Sequence, residues 1–234
     1  MTRTLRRTVL CVAGALAVSQ SVGAYATAPP SSFPAAGVPL HALVVRSAPD
    51  ASALVVRRMR RFRDDLQLQI VLALSERRGN DGARWYRLSL PGRTNGQRGW
   101  VAGDALDVQP VQNRIVVHRA SRLLEVRRIA DGAVLLRARV AVGRRGAETP
   151  LGRDFYVRSA FVPSDPFFGT YALETSAASR LTEWPDHGIV GIHGTDRPDL
   201  LGQAVSHGCI RVSNAVADRL EKLAPLGTPI DIVR

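Results

Sequence analysis

The 234-residue sequence predicts a mainly β protein, in which a small barrel precedes a larger β-rich domain with one or two short helices. Short apolar and β-branched runs recur along the chain, and turn residues such as Asn95-Gly96 separate them. Asp131-Gly132 stands between two such runs in the pattern of a tight hairpin. A helical pattern follows Asn214. A chain of this length can form one large or two small cores.

Residues 1–26 have the features of an export signal. Three arginines precede an apolar run at residues 8–18, and Ala24 and Ala26 stand at the positions that a signal peptidase reads. The apolar run is shorter than the roughly 20 residues that cross a bilayer. We therefore expect an exported protein, with no stable membrane insertion after cleavage. An uncleaved anchor, and either the general or the twin-arginine export route, stay open.

The chain carries a formal net charge of +12, and Lys222 is its only lysine. Removal of the three arginines of residues 1–26 leaves +12 − 3 = +9. This basic balance suits a polyanionic partner, such as nucleic acid or an anionic wall polymer. A solvated arginine surface explains the charge equally well. Because no nucleic-acid motif accompanies the charge, the sequence predicts no nucleic-acid partner and leaves anionic wall polymers as candidates.

Residues 27–37 are rich in proline and serine and are predicted to be a linker. Residues 38–110 then hold strand-like runs at positions 43–46, 54–56, 68–72, 85–88 and 99–101. Short strands at this spacing predict a small barrel. The Trp-Tyr-Arg-Leu run that starts at Trp85 and the Gly-Trp-Val run centred on Trp100 are similar to bacterial SH3-like domains, which are often attached to cell-wall enzymes. The two tryptophans either line a ligand groove or pack in the core.

Residues 113–234 are predicted to form the second domain. Its strand-like runs are residues 115–117, 123–126, 134–136, 140–143, 155–157, 189–192 and 228–233. A helix follows its expected cap Asn214, and Val216, Leu220 and Leu223 fall on one face of it. Residues 163–188 show no periodicity and contain four aromatic residues. They are interpreted as a flap beside the site, with a surface loop packed by its own aromatics as the alternative.

Cys209 is the only cysteine expected in the mature chain, because Cys11 lies in the export signal. A lone thiol in an exported protein is either buried and inert or reactive. If the chain around Cys209 is extended, alternation places His207, Cys209 and Arg211 on one face. Together with His193 these residues offer too few ligands for zinc, which usually takes four. We therefore predict no metal and no cofactor.

A thiol becomes a good nucleophile when a histidine takes its proton, and two histidines are candidates for that role. His207 lies two positions from Cys209 on the same predicted strand, where Cα atoms are about 6.5 Å apart and side chains are parallel. His193 ends another predicted strand, and it could lie opposite Cys209 at the cross-strand distance of about 5 Å. The spacing therefore favours His193 as the base.

Two motifs carry a resemblance to a known family. They are Gly191-Ile192-His193-Gly194-Thr195 and Ser206-His207-Gly208-Cys209-Ile210-Arg211. Their combination resembles the catalytic signature of the L,D-transpeptidases of bacterial cell walls. A Thr-Pro-x-Gly element at Thr149 is similar to one that precedes a strand in the same family. The resemblance covers residues 113–234 well and residues 38–108 loosely.

The resemblance implies a role for each residue of the motifs. Cys209 would be the nucleophile, and His193 the general acid and base, oriented by the carbonyl of Gly194. Donors from His207, Gly208 and Cys209, largely backbone N–H groups, would stabilise the developing oxyanion. The predicted substrate-binding residues are Ser206, Arg211, Asn214, Thr195 and Tyr171. Arg211 would hold either a substrate carboxylate or a structural ion pair.

The implied substrates are peptidoglycan stem peptides. The thiol would attack the carbonyl between a diamino acid and D-Ala, release D-Ala, and pass the thioester-bound acyl group to an amine of a neighbouring stem. Two alternatives stay open. Water as the acceptor would make the protein an L,D-carboxypeptidase, and a dead site would make it a protein that only binds the wall. The oligomeric state is not defined by the sequence.

Overall fold

The computed structural model describes residues 32–180 and 188–234. Within these ranges the chain forms 17 β-strands and one α-helix, so the predicted mainly β class is confirmed. The predicted export signal, most of the predicted linker, and Trp184 of the predicted flap lie outside the described residues. No helix in the described part of the chain is both long and apolar enough to span a bilayer.

The N-terminal sheet contains seven antiparallel strands in the spatial order β3-β2-β6-β5-β4-β1-β7. Their bounds are β1 (Ala35–Pro39), β2 (Leu43–Arg46), β3 (Val55–Met59), β4 (Val71–Arg78), β5 (Arg84–Ser89), β6 (Arg98–Ala102) and β7 (Leu106–Pro110). Leu43, Val45, Tyr86 and Leu88 lie in its core. Ala35 is fully buried between β4 and β7, so the ordered sheet begins inside the predicted linker. The assignment of this unit to the SH3-like class stays a prediction.

The two tryptophans of this unit have different surroundings. Trp85 is only 4% exposed, so most of its ring is packed inside the unit. Trp100 is half-buried on β6, and the guanidinium of Arg77 lies over its ring, 5.9 Å from the ring centroid. Core packing therefore accounts for Trp85, as the sequence allowed for at least one of the pair.

The second sheet contains eight strands in the order β10-β9-β8-β17-β12-β13-β14-β16. Their bounds are β8 (Asn113–His118), β9 (Leu123–Arg128), β10 (Val134–Arg139), β12 (Gly152–Phe161), β13 (Ala172–Ala178), β14 (Ile189–His193), β16 (Ile210–Arg211) and β17 (Pro229–Val233). β11 (Val142–Gly143) and β15 (Ala204–Ser206) form a separate parallel pair. The predicted hairpin between β9 and β10 is confirmed, and Gly132 in its turn has φ 72°, which suits glycine.

Helix α1 (Asn214–Leu223) buries Ala217 and Leu220 against the core of the second domain. Its existence and its apolar face agree with the sequence pattern, but the predicted cap is wrong. The residue that caps the helix is Ser213, whose side chain accepts a hydrogen bond from the N–H of Val216. Asn214, one residue later, has its side chain engaged elsewhere, as described below.

The interpretation of residues 163–188 as one irregular flap is wrong for its central part. β13 lies inside the sheet between β12 and β14, and most of its residues are buried. The sequence hides this strand because two of its buried side chains are polar. Thr175 Oγ1 donates to the carbonyl of Val190 at 2.6 Å, and Ser176 Oγ accepts from the N–H of Tyr156 at 3.0 Å. Backbone partners satisfy both hydroxyls, so they can be buried at little cost.

β4 of the N-terminal sheet lies beside β12 of the second domain, and two loops of the N-terminal unit contact β13. Arg63 Nη2 lies 2.6 Å from Glu174 Oε2, and both side chains are about 85% buried. Asn95 donates its side-chain N–H to the carbonyl of Ala178 and accepts from the N–H of the same residue, at 2.8 and 2.9 Å. These contacts join residues 83 to 111 positions apart, so the two parts of the chain are held in one orientation.

Candidate active site

Cys209 lies immediately before β16, at the end of a short loop that leaves β15. β16 pairs in parallel with β14, where Ile192 faces Ile210 and His193 faces Arg211. The expectation that His193 lies directly opposite Cys209 is therefore wrong by two positions. Cys209 lies beside Gly191, whose N–H donates to Sγ at 3.3 Å.

The loop that carries Cys209 is fixed by hydroxyl groups. Ser206 Oγ donates to the carbonyl of Cys209 at 2.6 Å and accepts from the N–H of Gly208 at 3.1 Å. Thr149 Oγ1 donates to the carbonyl of Gly208 at 2.8 Å and accepts from the N–H of Gly143 at 2.9 Å. Ser206 and Thr149 are both buried, so their bonds are shielded from water. The structure thus gives Ser206, predicted as a substrate-binding residue, a positioning function in the loop.

Gly208 has a backbone conformation that other residues rarely adopt. Its φ is 121°, and a Cβ at this position would lie 3.1 Å from Cβ of Ser179. Glycine is thus required both by the backbone and by the approach of Ser179. The Gly208 N–H donates to Ser206 Oγ, so it helps to fix the loop that carries Cys209.

His193 is held in the tautomer that a base needs. Its Nδ1 lies 2.6 Å from the carbonyl oxygen of Gly194, and since a carbonyl only accepts, Nδ1 must carry the hydrogen. Nε2 therefore keeps its lone pair. The residue is 3% exposed, and burial lowers its pKa to about 4, against the opposing effect of the Gly194 carbonyl. The imidazole is thus neutral near pH 7 and able to accept a proton.

The buried neutral imidazole predicts a specific loss of stability in acid. Between pH 6.5 and about 4 the unfolded chain binds a proton at His193 that the folded chain refuses, so acid favours unfolding. We expect the free energy of unfolding to be about 3 kcal/mol larger at pH 7 than at pH 4 because of this group. The loss begins as the pH falls below 6.5 and is nearly complete at about pH 4. Urea unfolding of the wild type and of His193→Gln at both pH values measures it. Equal pH-dependent losses in the two proteins would contradict this prediction.

Two aromatic side chains that the sequence did not assign to the site cover His193. The short 3-10 turn Pro166–Phe168 supplies them, and Asp165 caps the turn by accepting from the N–H of Phe167 at 2.9 Å. The ring of Phe168 lies 5.0 Å from the imidazole, edge to face, and that of Phe167 lies 6.1 Å away. This part of the predicted flap does lie beside the site. Its rings produce the burial that lowers the pKa of His193.

Arg211 places a positive charge near the thiol. Its side chain is 8% exposed, and its guanidinium lies 4.6 Å from the ring centroid of Phe167. Burial lowers the pKa of Arg211, and the negative charge of a Cys209 thiolate opposes that effect. By the same attraction, Arg211 favours the thiolate of Cys209.

A narrow cleft brings five of the ten predicted site residues together. Its lining consists of Phe167, Phe168, His193, Ser206, His207, Cys209 and Arg211. In the described part of the chain, no group of three or more histidine, cysteine, aspartate or glutamate side chains is placed to hold a metal ion. The side chains of the cleft are instead suited to thiol chemistry, with a nucleophile, a base and a cation.

Three predicted substrate-binding residues are not part of the cleft lining. Thr195 is 3% exposed, and its N–H donates to Oδ1 of Asn214 at 3.0 Å. The N–H of Gly194 donates to the carbonyl of Tyr171 at 3.1 Å. A Cβ on Gly194 would lie 2.3 Å from Oδ1 of Asn214, so this turn packs closely. Thr195, Asn214 and Tyr171 thus fix the turn whose carbonyl orients His193.

Comparison with known proteins places this site in a family. The family model described as "L,D-transpeptidase catalytic domain" (YkuD) matches residues 112–232. The putative L,D-transpeptidase YkuD of Bacillus subtilis is 36% identical over 95 residues, which are 41% of this chain and 51% of the relative. Its counterpart in Bacillus licheniformis is 37% identical over 93 residues, 40% of this chain and 50% of the relative. The matches thus span about half the length of these curated relatives.

Solved structures of L,D-transpeptidases resemble the chain at a lower level. One from Mycobacterium smegmatis has 16% identity and a TM-score of 0.43, and the match covers 65% of this chain and 91% of that one. One from Mycobacterium tuberculosis has 15% identity and a TM-score of 0.45, with 71% and 90% covered. The match to the family model carries more weight because it includes both motifs and extends over just over half of the chain. The chain therefore belongs to the YkuD family of L,D-transpeptidase catalytic domains.

Proposed function

We propose that the protein is a peptidoglycan L,D-transpeptidase that cross-links stem peptides through a thioester on Cys209. The observation that carries the proposal is the placement of Cys209 and a neutral, oriented His193 in one cleft, within a chain of this family. Both curated relatives are named as putative L,D-transpeptidases. A cysteine and a histidine in one cleft are the minimum set for nucleophilic acyl transfer.

In the first half-reaction, Nε2 of His193 takes the proton of Cys209, and the thiolate attacks the carbonyl carbon between the diamino acid and D-Ala. Two electrons of the carbonyl move to oxygen, where donors from His207, Gly208 and Cys209, largely backbone N–H groups, stabilise the negative charge. Collapse of this intermediate breaks the C–N bond. The imidazolium gives its proton to the departing amine of D-Ala, and a thioester remains.

In the second half-reaction, an amine of a neighbouring stem attacks the thioester carbonyl. His193 takes a proton from this amine, the C–S bond breaks, and the sulfur leaves as a thiolate that recovers the proton. Arg211 eases both steps in which sulfur carries charge, because its guanidinium favours the thiolate. Every atom of the products comes from the two peptides, so the balance closes without a cofactor.

Mass spectrometry of purified muropeptides tests this function. Incubation of the protein with a tetrapeptide stem that ends in D-Ala should yield free D-Ala and cross-linked dimers. Free D-Ala with tripeptides and no dimers would identify water as the acceptor, and hence an L,D-carboxypeptidase. A stem already lacking D-Ala is the matched control, since it offers no leaving group. No release of D-Ala, together with retained binding of sacculi, would leave only the wall-binding alternative.

The location and the domain roles belong to the same proposal. A wall substrate requires an enzyme outside the cytoplasm, and the features of residues 1–26 favour export. We propose residues 27–37 as linker, residues 38–110 as an SH3-like module and residues 113–234 as the catalytic domain. The mature charge of +9 supports contact with anionic wall polymers.

A further inference from the structure

A second cavity, separate from the cleft of Cys209, opens between the N-terminal sheet and the catalytic domain. Its volume is about 750 Å³, within the roughly 300–1,000 Å³ of small-ligand sites. Three arginines contribute to its lining: Arg93 from the N-terminal unit, and Arg119 and Arg180 from the catalytic domain. Leu151 adds apolar surface. Both parts of the chain are therefore needed to form it.

The contribution of the N-terminal unit is fixed in place. Asn95, two residues after Arg93, makes both of its amide hydrogen bonds with the backbone of Ala178, at 2.8 and 2.9 Å. Ala178 is the last residue of β13 and itself lines the cavity. The side-chain amide of Asn95 thus makes the two hydrogen bonds with Ala178 that the backbone of an adjacent strand would make. This pairing holds Arg93 at the rim.

The cavity has an excess of positive charge. Arg93 and Arg180 are exposed, and neither makes a hydrogen bond or an ion pair with another residue in the described ranges. Arg119 donates to the carbonyl of Thr149 at 2.8 Å. Glu148 is the one acidic residue among those described in the lining, and the N–H of Gly146 is the main cause that holds its pKa low. Three guanidinium groups against one carboxylate give the described lining a net positive charge, which favours an anionic ligand.

The cavity adjoins the loop that carries the nucleophile. Ser179 lines the cavity, and its Cβ lies 3.1 Å from where a Cβ on Gly208 would stand. The carbonyl of Thr149 accepts a hydrogen bond from Arg119. The hydroxyl of the same residue donates to the carbonyl of Gly208 at 2.8 Å. The cavity and the Cys209 loop are therefore direct neighbours, which Ser179 and Thr149 connect.

We propose that this cavity binds the carboxylate-bearing part of the donor stem peptide, with Arg93 and Arg180 pairing to its carboxylates. The inference rests on the proposed function, because it takes the stem peptide as the substrate. Guanidinium groups bind carboxylates through paired, charge-assisted hydrogen bonds. Leu151 contacts the apolar part of the stem. A volume of about 750 Å³ matches the size of a short peptide segment. The N-terminal unit is then part of the substrate site.

Calorimetric binding of a soluble stem peptide tests the proposal without turnover. The background protein is the full chain with Cys209→Ala, which cannot consume the peptide. The cavity variant is the same protein with Arg93→Gln and Arg180→Gln added. The matched control is Arg87→Gln with Arg145→Gln, which removes the same charge from exposed positions outside the cavity. We expect the cavity variant to bind about tenfold more weakly and the control to bind unchanged.

A second peptide separates specific pairing from general charge. It is the same stem with its side carboxylates converted to carboxamides, and we expect it to bind both variants and the background protein equally. Equal binding of the acidic stem by all three proteins would overturn the inference, as would an equal loss in the control. Loss of sacculus binding with unchanged stem binding would also overturn it, in favour of a wall-polymer site. If the muropeptide assay shows no D-Ala release, the proposed function fails while the stem-binding result still stands.

Discussion

Replacement of Cys209 by alanine is expected to abolish release of D-Ala and formation of cross-links. The substitution removes the only thiol in the lining of the cleft, and the thioester cannot form without it. Activity should fall to the uncatalysed background in the muropeptide assay. Covalent trapping by electrophilic acyl compounds such as carbapenems should disappear from the intact-mass spectrum at the same time.

A stability control accompanies this experiment. The backbone of the Cys209 loop is held by Ser206 and Thr149, and those bonds do not involve sulfur. Cys209→Ala should therefore unfold in urea at nearly the midpoint of the wild type. Turnover or an acyl adduct that persists in a folded Cys209→Ala protein would exclude the thioester mechanism.

His193→Gln and His207→Gln are expected to impair the reaction in different ways. Loss of a general base typically costs 10² to 10⁴-fold in rate, so His193→Gln should slow acylation by about that factor. The pKa of its thiol should then rise toward the value of about 8.5 of an ordinary cysteine, although Arg211 still favours the thiolate. His207→Gln should leave the ionisation of Cys209 unchanged and slow acylation by about 10²-fold, since the oxyanion pocket is disturbed. The rate of iodoacetamide labelling as a function of pH measures the ionised fraction of Cys209. The acylation rate measures formation of the thioester.

The structure supports this division of roles. Nδ1 of His193 is fixed by Gly194, which leaves Nε2 for the proton transfer, whereas His207 lies next to Gly208 on the loop itself. Burial, with the charges of Arg144 and Arg211, lowers the pKa of His207, so it too is neutral near pH 7. A shifted labelling profile in His207→Gln and an unshifted one in His193→Gln would reverse the assignment, while the thiol mechanism would remain.

Local patterns in the sequence were sufficient for several features. Asp131-Gly132 predicted the β9–β10 hairpin because its tight turn needs a residue with positive φ, which Gly132 supplies. The apolar face of α1 was readable because Leu220 and its neighbours recur at helical spacing. The motifs around His193 and Cys209 indicated a thiol nucleophile with a histidine base, and their resemblance to the L,D-transpeptidases implied acyl transfer.

Only the tertiary structure decided how these parts meet. Thr149 holds Gly208 from 59 residues away, and Asn95 holds Ala178 from 83 residues away. Such pairings depend on the packing of whole sheets, which no local pattern encodes. The parallel register that sets His193 opposite Arg211 has the same origin. β13 was missed because its buried hydroxyls are satisfied by backbone partners from neighbouring strands, so the hydrophobic alternation that marks a strand in the sequence is absent.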